Sequence, residues 1–153
     1  MDIADLITPR SIVAQLRAAN KRHALQELAR RAAAMSGQNE RAIFDVLIER
    51  ERLGSTGIGM GVGIPHGKLP GLTRLYSIFA RLERPIPFEA IDDQPVDLIF
   101  LLLAPENAGA DHLKALALVS RLLRDRSVCE KLRGTENPEA LYALLTEAPA
   151  QAA

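Results

Sequence analysis

Val96-Asp97-Leu98-Ile99-Phe100-Leu101-Leu102-Leu103-Ala104 is the stretch on which the fold turns. It is almost unbroken hydrocarbon, yet far short of the roughly 20 apolar residues needed to cross a bilayer. A strand with one wet face alternates apolar with polar side chains, whereas a strand covered on both faces reads as a continuous apolar run. The stretch is therefore expected to be a central strand with helices over both its faces.

Outward from it, the flanks supply those helices. Pro105 to Ala110 reads as a loop, and Asp111 opens a helix carrying Leu113, Leu116, Val119, Ser120 and Leu123. A short helix is expected around Ser127 to Leu132, and Asn137-Pro138 has the form of a cap and first-turn proline for a last one with Leu141, Leu144 and Leu145. Upstream, Leu75 to Leu82 has the aromatic and β-branched bulk of a strand, and Arg84-Pro85-Ile86-Pro87 reads as a breaker. Asn20 and Asn39 are placed to cap two helices, one with Leu25, Leu28, Ala29 and Ala32 on its apolar face, the other with Ile43, Phe44, Leu47 and Ile48. Ile12 and Val13 suggest a short first strand. The predicted class is α/β, a single domain with a mixed, partly parallel central β-sheet sandwiched between helices.

Composition narrows the function. The 153 residues make about one domain. Nineteen basic residues balance nineteen acidic ones, and a nucleic-acid binder usually carries a basic excess. Aromatics are 4% with no Trp, which disfavours a base-stacking platform. Cys129 stands alone, excluding an internal disulfide or a cysteine-based zinc site. Met1 leads into Asp2 and Asp5 with neither a basic nor an apolar leader segment, so the expected location is cytoplasmic, with no integral membrane segment.

Six of the ten glycines fall between Gly54 and Gly67. Gly57, Gly59, Gly61 and Gly63 alternate, which at strand spacing leaves one face bare for close approach of a backbone, a helix or a ligand. Nucleotide loops fail on spacing: no G-x-G-x-x-G can be completed, and Gly67-Lys68 lacks both the upstream glycine and the following hydroxyl of a P-loop. The segment ends in Pro65-His66-Gly67, which holds His66 at a constrained turn near the surface. A neutral imidazole there can be a nucleophile. Attack on phosphorus needs fixed positive donors, for which Arg50, Arg52 and Lys68 are candidates, with His112 as an N–H donor at a helix start behind the long strand. Taken singly, Glu49 to Arg52 reads most simply as a solvated charged turn, and His112 as a helix-start residue beside Asp111.

The twenty residues Glu49-Arg50-Glu51-Arg52-Leu53-Gly54-Ser55-Thr56-Gly57-Ile58-Gly59-Met60-Gly61-Val62-Gly63-Ile64-Pro65-His66-Gly67-Lys68 resemble the signature of enzyme IIA domains of the mannitol/fructose class. These domains belong to the bacterial phosphoenolpyruvate-dependent phosphotransferase system (PTS), and the wording is most similar to its nitrogen-regulatory type. The resemblance extends over about residues 2–147, an EIIA type-2 domain, and leaves 148–153 as a disordered tail. It implies that His66 accepts a phosphoryl group through Nε2, that Arg50 holds that group and that His112 is a hydrogen-bond partner. Ser55 and Thr56 correspond to supporting hydroxyls, with Lys68 also near. Gly63 stands where the family pattern has alanine, a change expected to loosen the strand. The implied partner is an HPr/NPr-like phosphocarrier, the implied outputs are protein targets such as potassium-transport or sensor-kinase proteins, and no cofactor is required. Such a protein is a phosphocarrier rather than a small-molecule enzyme.

Three other readings compete. A sugar-specific IIA would pass the phosphoryl group on to a permease IIB domain. A metal-dependent hydrolase using His66, His112 and Asp111 lacks any recognised ligand spacing among His23, His66 and His112. A pure binding module would have no use for Arg50, His66 and His112 together.

Overall fold

The computed structural model describes residues 1–152, the last five as backbone only, so the tail expected over 148–153 falls outside the fully described residues. Two short 3-10 turns, Ile3–Asp5 and Pro9–Ser11, lead into β1 (Ile12–Leu16). Then come α1 (Lys21–Ser36), α2 (Glu40–Arg52), β2 (Gly57–Gly59), β3 (Val62–Gly63), β4 (His66–Leu69), β5 (Tyr76–Ile86), β6 (Val96–Pro105), α3 (Ala110–Leu123), α4 (Arg126–Arg133) and α5 (Pro138–Ala152).

The long apolar stretch is β6, and it is the centre of the sheet. β5 pairs with it antiparallel on one side, and β1 lies parallel outside β5. On its other side β3 and β4 follow one another along the same edge, both parallel to β6, and β2 folds back antiparallel on β3. The side chains of β6 divide as the period of two requires. Ile99, Leu101 and Leu103 join a core with Leu25, Leu28, Ile43 and Leu47 of α1 and α2. Leu98, Phe100 and Leu102 join a second core with Val119, Leu123, Leu132, Leu141 and Leu145 of α3, α4 and α5. Both faces are dry, which is why the run needs no alternation.

Helix ends follow their caps. Asn20 Oδ1 accepts from His23 N at 2.8 Å and Asn39 Oδ1 from Ala42 N at 2.9 Å. Asn137 Oδ1 accepts from Ala140 N at 3.0 Å, so all three expected caps are made. Asp125, not anticipated, caps α4 through Ser127 N and Val128 N.

Four expectations are corrected. The stretch Arg84-Pro85-Ile86-Pro87 does not end the strand at Leu82: β5 runs to Ile86, whose partner is Val96, across an irregularity in register. β1 pairs with β5 only as far as Leu82, so Pro85 sits on an unpaired edge where its missing N–H costs nothing. The alternating glycines are not one bare strand face. β2 and β3 are the arms of a tight hairpin, with positive φ at Gly59 (99°), Met60 (57°) and Gly61 (79°) reversing the chain. A Cβ on Gly61 would lie 2.5 Å from Arg133 Nη2, which donates to Met60 O at 2.7 Å and pins the turn to α4. Gly63 packs tightly under the ring of buried Phe88, where a Cβ would sit 3.1 Å from Cε2, so glycine here closes the packing instead of loosening it. Finally, α3 begins at Ala110 behind Gly109 and turns His112, Ala115, Val119, Leu122 and Leu123 inward, leaving Leu113 69% exposed.

Candidate active site

The last turn of α2, the first residue of β4 and the first turn of α3 bring Arg50, His66 and His112 together. Ile64-Pro65 interrupts the edge strand between β3 and β4, and Pro65 O accepts from Leu102 N at 3.0 Å, so the break stays stitched to β6. His66 therefore starts a strand instead of ending one. Its ring is half-buried. On β4, His66 and Lys68 share one face, while Gly67 between them points back at Val46 of α2, where a Cβ would meet Cγ1 at 2.2 Å.

The ring is fixed from both sides. His66 Nδ1 lies 2.8 Å from Ile64 O. A carbonyl only accepts, so Nδ1 carries the proton and Nε2 is unprotonated. Arg50 Nε donates to that Nε2 at 3.3 Å, and Arg50 Nη1 donates to Gly54 O at 2.9 Å. The guanidinium thus spans the unprotonated nitrogen of His66 and the loop after α2. The ring of His112 stands edge-on to that of His66 with centroids 5.7 Å apart. His112 is buried, and among the described residues its Nε2 has no hydrogen-bond partner.

Both imidazoles are held below the ordinary value of 6.5. For His66 burial is the main cause, helped by the Arg50 charge and opposed by the bond to Ile64 O and by Glu51. For His112 burial again leads, followed by His66 and Lys68. At neutral pH both rings are therefore uncharged.

The other candidates fall differently. Lys68 is exposed on the face that carries His66 and makes itself felt at His112. Ser55 and Thr56 do not present free hydroxyls: Ser55 Oγ donates to Phe88 O at 2.7 Å, and Thr56 Oγ1 donates to the Glu51 carboxylate. Arg52 is exposed and paired at 3.1 Å with exposed Glu49. The charged run is thus a solvated turn at Glu49 and Arg52 only; Arg50 and Glu51 face inward. Glu51, with a side chain 6% exposed, was missed, as were the carbonyls of Gly54 and Ile64. One signal was available: a carboxylate in the last turn of a helix opposes the helix dipole and needs a local cation. Lys21, 2.7 Å away, supplies it. Among the described residues no group of three His, Cys, Asp or Glu side chains is placed to hold a metal ion.

The profile of the family described as phosphoenolpyruvate-dependent sugar phosphotransferase system, EIIA 2, matches residues 5–148. The chain belongs to this family. This EIIA type-2 domain is 58% identical to a nitrogen regulatory protein of Bradyrhizobium diazoefficiens over 153 residues, the whole of both chains. It is 36% identical over 151 residues to the fructose-specific EIIA component of Haloferax volcanii, covering 96% of this chain and 98% of that one. The crystal structure of the nitrogen regulatory protein IIA-Ntr from Neisseria meningitidis superposes with a TM-score of 0.89 at 35% identity, covering 94% of this chain and 99% of the other. The mixed sheet between two helical layers is thus the IIA-Ntr fold. No described helix of the EIIA domain is long and apolar enough to cross a membrane.

Proposed function

We propose that this EIIA domain is a phosphoryl-accepting member of the nitrogen phosphotransferase system, with His66 Nε2 as the acceptor. The observation that carries the reading is the fixed tautomer: Nδ1–H donates to Ile64 O, and the unprotonated Nε2 accepts from Arg50. The donor is a phosphohistidine on an HPr/NPr-like carrier. The Nε2 lone pair attacks phosphorus as the carrier's P–N bond breaks, and the departing imidazole keeps that electron pair. His66 retains its Nδ1 proton throughout, so its ring becomes cationic beside a dianionic phosphoryl group. The bond to Ile64 O then becomes charge-assisted and stronger.

Arg50 and the unpartnered Nε2 of His112 are the groups available to the transferred oxygens. A buried polar atom without a partner costs about 1–3 kcal/mol, and a phosphoryl oxygen relieves that cost. Leu53 and Leu113, each well exposed next to a site residue, give a carrier apolar surface on which to dock. Phosphorylation places a dianionic group on a ring that becomes cationic, a net change of about −1, which alters the partners the same face accepts and makes the modification a signal to regulatory targets.

The test is intact-protein mass after incubation with phosphoenolpyruvate, enzyme I and an HPr-like carrier, beside a His66→Ala control. One acid-labile phosphoryl group in the native chain and none in the variant is the expected result. Label that survives the substitution moves the site to another residue. A second reading, delivery of the phosphoryl group to a permease IIB domain, has the fructose-specific relative behind it. Onward transfer from the charged protein to a fructose IIB domain distinguishes the two.

A further inference from the structure

Arg50 is effective only while its guanidinium stays against His66, and the fixture at its other end is an exposed loop carbonyl. Gly54 O accepts from Arg50 Nη1, yet Leu53 and Gly54 are both exposed and φ of Gly54 is 148°. Ser55 Oγ on Phe88 O and Ile64 N on Thr56 O hold the far end of that loop, and Glu51 ties the loop to the same helix turn that carries Arg50. The Glu51 carboxylate accepts from Thr56 N at 3.0 Å and from Thr56 Oγ1, and is paired with Lys21 Nζ at 2.7 Å. Gly54 N also donates to Glu51 O at 3.1 Å. Lys21 in turn donates to Phe88 O, the carbonyl that receives Ser55 Oγ, and lies 4.6 Å from the centroid of the Phe88 ring. Three donors converge on one buried carboxylate, and the chain from it to the reacting nitrogen is continuous: Lys21, Glu51, Thr56, the Gly54 carbonyl, Arg50, His66.

We infer that Glu51, charge-balanced by Lys21, is a positioning residue for phosphoryl transfer, holding the 53–56 loop so that Arg50 stays directed at His66. This rests on the phosphoryl-acceptor reading. The acidic charge matters as well as the shape, since a glutamine at 51 presents an N–H₂ to donors that need acceptors, and the loop loses at least one of its ties. The charge also partly offsets the effects of burial and Arg50 on His66, so its removal lowers the basicity of the ring.

The experiment compares the native chain, Glu51→Gln, Arg50→Ala and the double variant for phosphoryl uptake from a charged HPr-like carrier. The titration of His66 is followed in parallel by 15N NMR. Expected are a fall of about tenfold or more in the maximal transfer rate of Glu51→Gln with little change in carrier KM, the scale set by small misplacements of a reacting group. The His66 titration should move to lower pH, and the double variant should lose no more than Arg50→Ala alone, because a residue acting through Arg50 has nothing to act on without it. Multiplicative losses in the double variant, or a native rate with an unmoved His66 titration in Glu51→Gln, overturn the inference. Should Glu51→Gln fail to fold, Thr56→Val removes one donor only, and the same cycle with Arg50→Ala decides. Absence of uptake by the native chain from a charged carrier is a failure of the acceptor reading, and the NMR titration still tests the link from Glu51 to His66.

Discussion

At His66 the decisive partner is a backbone oxygen. The Ile64 carbonyl selects the tautomer, and so determines which nitrogen is available, before any catalytic side chain is involved. Arg50 adds a fork with two separate tasks, Nε to the nucleophile and Nη1 to the loop. Lysine carries the charge but cannot span both. Arg50→Lys is therefore expected to slow phosphoryl uptake about 10²-fold, the scale of losing one fixed donor at a developing charge. Rapid-quench measurement of acid-labile phosphate checks this, and a rate within a factor of two of native would show that charge alone suffices. Much at this scale was legible in the sequence: Pro65-His66-Gly67 singled out His66, the need for fixed positive donors singled out Arg50 and Lys68, and the helix start behind the long strand singled out His112, which the fold sets beside His66. The carbonyls were not legible, because every residue has one and only the fold selects which is used. Glu51 was hidden by its neighbours, for Glu49 and Arg52 do form the solvated turn that the whole run suggested.

Among the elements, the glycine-rich hairpin shows what spacing alone cannot resolve. Alternation at 57, 59, 61 and 63 fits a flat strand, but positive φ at three consecutive positions turns it into two short arms. The need for close approach was read correctly, with a backbone among the expected neighbours; which segment approaches was not legible. At Gly57 the neighbour is the 88–90 segment, with Ala90 Cβ and Cα 2.7 and 2.9 Å from where a Cβ would lie. Backbone is among those atoms, so relief requires the segment to move. Gly57→Ala should cost about 1–3 kcal/mol, the usual range for overpacking, and urea denaturation measures it. A midpoint equal to the native one would mean that the segment yields freely. Helix α3 carries a related lesson. Leu113 and Leu116 made a plausible apolar face, but one residue's difference in phase buried His112 and put Leu113 in water. A histidine is not counted among core residues in a hydrophobic pattern, so periodicity found Val119 and Leu123 but misjudged the first turn.

For the molecule as a whole, two neutral imidazoles held at one site tie stability to acidity. Both have folded values below 6.5, chiefly through burial, so the unfolded chain takes up protons first as the pH falls. No penalty exists well above 6.5; stability drops as the pH passes down through it, and the loss levels off below the lowered folded values. Thermal melts should show a lower Tm at about pH 5.5 than at about pH 7.5, with a shallower dependence in His112→Gln. A Tm unchanged across that interval, or an equal slope in the variant, would refute this account. The layered architecture itself was readable from nine residues, because a strand that is dry on both faces admits little else. Strand order was not, since it depends on pairings between distant segments. Those pairings bear on how the protein is made. The antiparallel β5–β6 pair closes a short loop, whereas His66 meets Leu102 and Ile12 meets Phe79 only after much longer stretches of chain have been gathered in. Loop entropy makes the longer closures the costlier and the slower. His66 lies on one of those late-closing edges, between a helix that precedes it and another that follows β6. A chain in which only the β5–β6 pair has closed has not yet brought His66 to its place beside β6, so on the proposed reading it offers a phosphocarrier no acceptor to charge out of turn.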